Sequence, residues 1–242
     1  SFFFIMKQTP YLFLLPSIII LAFTSVYPIC YSIYYSLFNW RWGDEKDFIA
    51  FDNYISLISD KEFWIIVKNT FIFAFFACFF EIVIGVFLAI YIDRIKIGST
   101  IIRTILLIPL MVSGISVTML FKVMLDNMFG IIPYFLSFVG IKSNFFGSYT
   151  AAMPTIIGLD VWWQTSFVFI IILAGLKSIP NEPIEAAKID GASEWEITRY
   201  IRLPMIRSLL FLVLIFRSID TLKVFDIVWG TTGGGPGLPT EV

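Results

Sequence analysis

Arg217, Asp220 and Lys223 follow one another at three-residue spacing, in a segment otherwise rich in leucine, isoleucine and phenylalanine. Charges in a segment apolar enough for lipid are costly, so they mark either a packing constraint or a function. Helical spacing puts the three on roughly one face, with Thr221 four residues after Arg217. Asp220 can neutralise a cation on either side, so one reading is an internal ion-pair cluster that fixes helix packing. The other is a polar lining for a hydrophilic solute. Glu81 stands in a second apolar run with no cation near it in sequence. Three states suit it: protonated, paired with a partner subunit, or facing a pore. With Asp220 it would also serve as a proton relay, the chemistry of an ion-gradient-driven transporter. Catalysis has less support. The chain has no histidine, which removes the commonest metal ligand and acid–base group, and no nucleophile–base pair stands out. Cys30 and Cys78 lie in apolar runs without partners at metal spacing and read as small buried hydrophobes. Gly233-Gly234-Gly235-Pro236 lacks a following Lys-Ser or Lys-Thr, so it is not a phosphate loop, and the chain is not expected to bind ATP.

The elements that hold these residues are membrane helices. Hydrophobic residues make up 58% of the chain and charged ones 14%, with a mean hydropathy of +0.87, whereas soluble domains carry about 25% charged residues. The class is all-α, a polytopic transmembrane helix bundle. A net charge of −1 excludes a nucleic-acid footprint. Stretches near the length of a spanning helix fall at about 11–38, 63–92, 104–125, 151–176 and 204–228, forming a single membrane domain over 1–242. The first is too long for a signal peptide and reads as an uncleaved helix. Asn39–Glu62 is an acidic loop carrying Asp44, Glu45, Asp47, Asp52, Asp60 and Glu62. A short interfacial helix is expected at Ile132–Val139. Ser113-Gly114 offers a close-packing point, Asp226 reads as a helix-end polar residue, and Gly230–Pro239 as a loop. Of Trp162 and Trp163, one is expected to pack and the other to line. Lys7, Arg94, Lys96, Arg103, Lys177, Lys188, Arg199, Arg202 and Arg207 fall on one side of this layout. Arg41, Lys46, Lys61, Lys68, Lys122 and Lys142 fall on the other, a modest bias that places the N-terminus in the cytoplasm.

A second polar segment, Ile179–Pro204, interrupts the apolar runs and makes up most of a cytoplasmic loop over 177–203. Pro180 and Pro183 stop the preceding span and suit the first turn of a new helix. Glu185 to Asp190 favours helix, and Gly191 breaks it. Ser193 with Glu196 three residues on is a capping-box pattern for a second helix over Glu194–Ile201. Ala186, Ala187 and Ala192 are small enough for another surface to approach closely.

The order Glu185-Ala186-Ala187-x-x-Asp190-Gly191-Ala192-x-x-Trp195, ending Ile201-x-Leu203-Pro204, resembles the EAA motif of permease subunits in binding-protein-dependent ABC importers. Phe51-Asp52-Asn53-Tyr54, Phe63-Trp64, Asn69-Thr70, Arg103 with Leu106-Leu107-Ile108-Pro109, Phe225-Asp226, and Thr232-Gly-Gly-Gly-Pro236 with Thr240 resemble the sugar-permease branch, closest to its maltose-type members. The resemblance implies a type I ABC importer permease fold in a bacterial inner membrane, with a further helix after residue 242. It implies a division of labour with a second homologous permease, an external solute-binding protein, and two cytoplasmic ATPase subunits that bind ATP and magnesium. Glu185, Ala186, Ala187, Asp190, Gly191, Ala192 and Trp195 would form the handle that the ATPase moves. Alignment to the family puts sugar-contacting positions at Asp160, Trp163 and Gln164 and at Arg217, Asp220 and Lys223. Sugars suit this set, because carboxylates and amides bond hydroxyls and an indole face stacks on a ring. The same machinery for glycerol phosphate, a polyamine or an anionic sugar is the alternative.

Overall fold

A computed structural model describes residues 13–41, 45–95, 97–141, 144–237 and 240–242. Lys7, Tyr11, Asp44, Lys96, Lys142, Leu238 and Pro239, which the sequence reading used, lie outside them. The chain divides into two compact units, Ser1–Trp64 and Ile65–Val242. Two short strands are the only sheet among the described residues; the rest is helix and turn, as an all-α reading requires.

In the first unit, α1 runs Phe13–Ser36, with a π-helical segment at Ala22–Val26 ahead of Pro28. Strands β1 (Phe38–Asn39) and β2 (Asp47–Phe48) pair antiparallel where an irregular acidic loop was expected. Helix α2 (Asp52–Ser59) follows. The Asn53 side-chain amide caps the end of α1, donating to the Ser36 and Phe38 carbonyls at 2.9 and 3.1 Å. Cys30 is exposed on α1 rather than buried as expected, whereas Cys78 is buried; neither forms a disulfide.

Helix α3 (Lys61–Arg94) leads into the second unit, where α7 (Ala152–Lys177) contacts several of the other helices. Phe73, Ala77, Glu81, Gly85 and Ala89 recur every four residues on the buried face of α3. Residues at this spacing share one helix face. Small residues there admit α7 closely: a Cβ on Gly85 would lie 2.6 Å from Val168 Cγ1. Two apolar cores result. One joins Ala89, Phe169, Ile172 and Val213; the other joins Phe73, Ala77, Ile156 and Ile227.

Two expected spans are not single helices. Within 104–125 the chain forms α4 (Ser99–Leu107), a 3-10 turn at Pro109–Met111, and α5 (Gly114–Met124), bent by 96°. Proline supplies no N–H to an α-helical ladder and ends the first half. Carbonyls freed at such a break need donors within an apolar bundle, and α7 supplies them. Ser166 Oγ donates to Leu106 O at 2.6 Å, and Trp163 Nε1 to Val112 O at 3.1 Å. Likewise 204–228 divides into α10 (Arg207–Leu222) and α11 (Asp226–Thr231), separated by Lys223–Phe225. At 16 residues, α10 is shorter than an ordinary span. Gly230 and Thr231 belong to α11, so the glycine-rich loop begins at Thr232, not Gly230. Among the described residues three helices, α1, α3 and α7, are long and apolar enough to cross a membrane, or four if α4 and α5 count together.

Helix α6 (Ile131–Phe138) coincides with the short helix expected there. The polar insert folds as α8 (Glu182–Ile189), with Pro183 in its first turn, then a turn at Gly191 with φ of 82°, then α9 (Glu194–Ile197). The expected second helix is shorter in α-helical form and continues as a π-helical turn, Thr198–Arg202.

Candidate functional site

Arg217 sits on α10 between the two apolar cores and is 2% exposed. Its Nε and Nη2 donate to the two Glu81 oxygens at 2.5 and 2.9 Å, and Nη2 also reaches Asp160 Oδ2 at 3.1 Å. Its Nη1 lies 3.5 Å from Asp220 Oδ2, and Asp220 in turn lies 3.4 Å from Lys223 Nζ. Buried ions require such pairing, because each desolvated charge left alone is costly. The open question about Glu81 is answered within the chain: its cation is on α10, 136 residues away. Opposite sign and burial in separate spans were the only sequence signals for this pair.

The six residues expected to line a pathway come together. Asp160, Trp163, Gln164, Arg217, Asp220 and Lys223 share a cavity of about 240 Å³ with Val224, Phe225, Asp226 and Ile227. The two α10 readings are therefore both present: Arg217 is an ion-pair hub, while Asp220 and Lys223 stay half-exposed or exposed at the cavity. Trp163 is held by the broken α4–α5 pair, with one face on the cavity. Trp162 instead meets Phe121 edge-on at 5.0 Å, outside the cavity. Asp226 was read as a plain helix-end residue, yet it lines the cavity at the start of α11. Gly114 lets it in, since a Cβ there would lie 2.8 Å from Asp226 Oδ2 and 2.9 Å from Trp163 Cη2. The segment after the glycine-rich loop is tied back to α3 by Asn69 Nδ2, which donates to Glu241 O at 3.2 Å.

The second cluster is the insert. Glu185, Ala186, Asp190 and Gly191 are exposed, Ala187 and Ala192 half-buried, and Trp195 is 67% exposed. Ile189 projects beside them at 87% exposure, so the surface is apolar as well as charged. The capping box forms: the Glu196 N–H donates to Ser193 Oγ at 3.3 Å, and the Ser193 N–H to Glu196 Oε2 at 2.8 Å. The Ser193 hydroxyl, which donates to Glu196 Oε2 at 2.6 Å, and the Ser193 N–H together hold the Glu196 carboxyl below the usual carboxylate range. Glu194, which no motif singled out, gathers Lys188 at 3.2 Å, Arg202 at 3.4 Å and Arg94 of α3 at 3.9 Å. Arg94 also donates to Thr198 Oγ1 at 2.9 Å. Burial pushes the Glu194 carboxyl up, but the Lys188 hydrogen bond and the charges of Arg202, Lys188 and Arg94 outweigh it and lower it. The insert is thus latched to the end of α3.

A family model described as the binding-protein-dependent transport system inner membrane component matches residues 81–242. The trehalose/maltose transport system permease protein MalF of Thermococcus litoralis is 34% identical over 95% of this chain and 79% of its own length. This chain belongs to that family. It is a membrane-embedded permease component of an ABC importer. The sn-glycerol-3-phosphate transport system permease protein UgpA of Yersinia enterocolitica is 31% identical over 94% of this chain and 78% of its own length. Among solved structures, a bacterial ABC transporter involved in import of the acidic polysaccharide alginate superposes with a TM-score of 0.85 at 24% identity. It covers 98% of this chain and 81% of its own. That likeness shows the type I importer permease fold.

Proposed function

We propose that this permease forms one half of a pore that carries a sugar or oligosaccharide across the cytoplasmic membrane. The observation that carries the proposal is the convergence of Asp160, Trp163, Gln164, Arg217, Asp220 and Lys223, from α7, α10 and the break after α10, on one cavity. Carboxylates accept from sugar hydroxyls, the Gln164 amide both donates and accepts, and Lys223 donates. The Trp163 ring offers an apolar face for the C–H surface of a pyranose. The relatives named for trehalose, maltose and glycerol phosphate support a small hydroxyl-rich solute.

The complete importer would include a second, homologous permease, an external solute-binding protein, and two cytoplasmic ATPase subunits holding ATP and magnesium. The insert would face the cytoplasm, as would the N-terminus. Glu185 to Trp195 would dock on the ATPase, with Ile189 and Trp195 filling its cleft and the Glu194 latch passing movement to α3. ATP drives such a cycle only by binding one state of the importer better than the other.

The test is uptake of labelled trehalose into liposomes holding the assembled importer. Gln164→Ala removes one amide partner, so the half-saturating concentration should rise by about threefold to tenfold, as loss of one hydrogen bond predicts. Trp162→Phe, outside the cavity, should leave it unchanged. Equal effects from both replacements would sink the cavity as the pathway.

A further inference from the structure

We infer that the cavity selects an uncharged polyhydroxyl solute and turns away an anionic one, with Glu81 setting that choice from behind the cavity wall. The inference rests on the pathway proposed above and names its class of solute. Arg217 resembles an anion-binding residue by type, yet its guanidinium is already engaged. A guanidinium has five N–H groups. Those on Nε and Nη2 face Glu81 and Asp160, and Nη1 faces Asp220. Glu81 is fully buried and does not line the cavity, so it competes for Arg217 without meeting the solute. Lys223, the other cation, is 68% exposed and paired with Asp220.

The carboxylates that line the cavity are those of Asp160, Asp220 and Asp226, against the cations Arg217 and Lys223. Glu81 behind the wall adds another negative charge to the same group. An entering carboxylate or phosphate would meet an acceptor-rich wall whose positive charge is already spoken for, and like charges brought together out of water repel strongly. A neutral sugar meets the same wall as a donor. Each hydroxyl can give a charge-assisted hydrogen bond to Asp160, Asp220 or Asp226 and accept one from Gln164 or Lys223. Rejection here works by leaving the wrong solute unpaired as much as by pairing the right one. Relatives at similar identity are named for neutral disaccharides and for a phosphate ester, so family membership alone does not decide between them.

The experiment measures equilibrium binding to the assembled importer in lipid nanodiscs, without the external binding protein, which has a sugar site of its own. Three labelled probes are compared: trehalose, a diuronic acid of the same ring number, and spermidine. The native importer should bind trehalose at least about tenfold more tightly than the diuronic acid. Glu81→Gln frees donors of Arg217 and removes a negative charge, so the affinity ratio should shift toward the diuronic acid by about tenfold or more. Asp220→Asn, at a half-exposed side chain where folding is not at stake, should shift it in the same direction. Equal affinity of the native importer for the two sugars would overturn the selection by charge while keeping the sugar pathway. An unchanged ratio in both variants would overturn the role of Arg217's engagement. Binding of spermidine in place of either sugar would overturn the sugar pathway itself.

Discussion

Arg217 carries more of this fold than its position near the end of an apolar helix suggests. It neutralises Glu81 and Asp160, both nearly inaccessible, and removing it leaves two buried carboxylates facing each other. Breaking a buried pair from one side costs about 3–5 kcal/mol. Arg217→Met should therefore lower the thermal unfolding temperature of the solubilised importer sharply. The double replacement Glu81→Gln with Arg217→Met should recover part of the loss, because it removes the unpaired charge as well. Double-mutant analysis of the melting curves checks this, and strict additivity would contradict the pairing. The sequence made Arg217 and Glu81 conspicuous separately, since each is an ion among apolar neighbours. It left them unjoined because helices far apart in sequence carry no mark of which faces meet. Asp160 was reached only through the family resemblance, as one more acidic residue on a long apolar helix.

Helix existence was legible where apolar runs were long and uninterrupted, as in α3 and α7. The breaks were not. Pro109 marked a weak point in the third run, but the 96° bend depends on Ser166 and Trp163 of α7 capping freed carbonyls, and those contacts have no local signature. The end of α10 at Leu222 was missed for the same reason, hydropathy continuing through Val224 and Phe225 into α11. The insert was the best-read element, because capping and glycine chemistry act within a few residues. Its Gly191 has φ of 82°, where a Cβ costs about 1–2 kcal/mol. Gly191→Ala should therefore tilt α8 against α9, and sugar delivered per ATP hydrolysed should fall while membrane insertion is kept. Simultaneous measurement of both rates in liposomes checks it, an unchanged ratio counting against the handle. Glu194→Gln should act in the same direction by loosening Arg94. The Glu194 carboxyl is lowered in the folded protein, so its latch is complete above the usual carboxylate range. It is lost as pH falls through the lowered value. Partial exposure limits its worth to about 1 kcal/mol or less.

At the scale of the whole molecule, the proposed function puts the energy source in partner ATPase subunits. Uptake by the assembled importer should stop when the ATPase partner is made unable to hydrolyse ATP, and should survive collapse of the proton gradient. Uptake that followed the gradient instead would contradict the importer assignment, and a transport assay with an ionophore separates the two. Within the bundle, the Glu81–Arg217–Asp160 contact lies between two apolar cores. Sliding α3 along α10 by one turn, about 5.4 Å, would carry Glu81 away from Arg217, its one close cation among the described residues. The trio thus works as a detent: it allows α3, α7 and α10 one mutual register and penalises every neighbouring one. On the proposed function, alternation between inward and outward openings should leave α3, α7 and α10 clamped as a block.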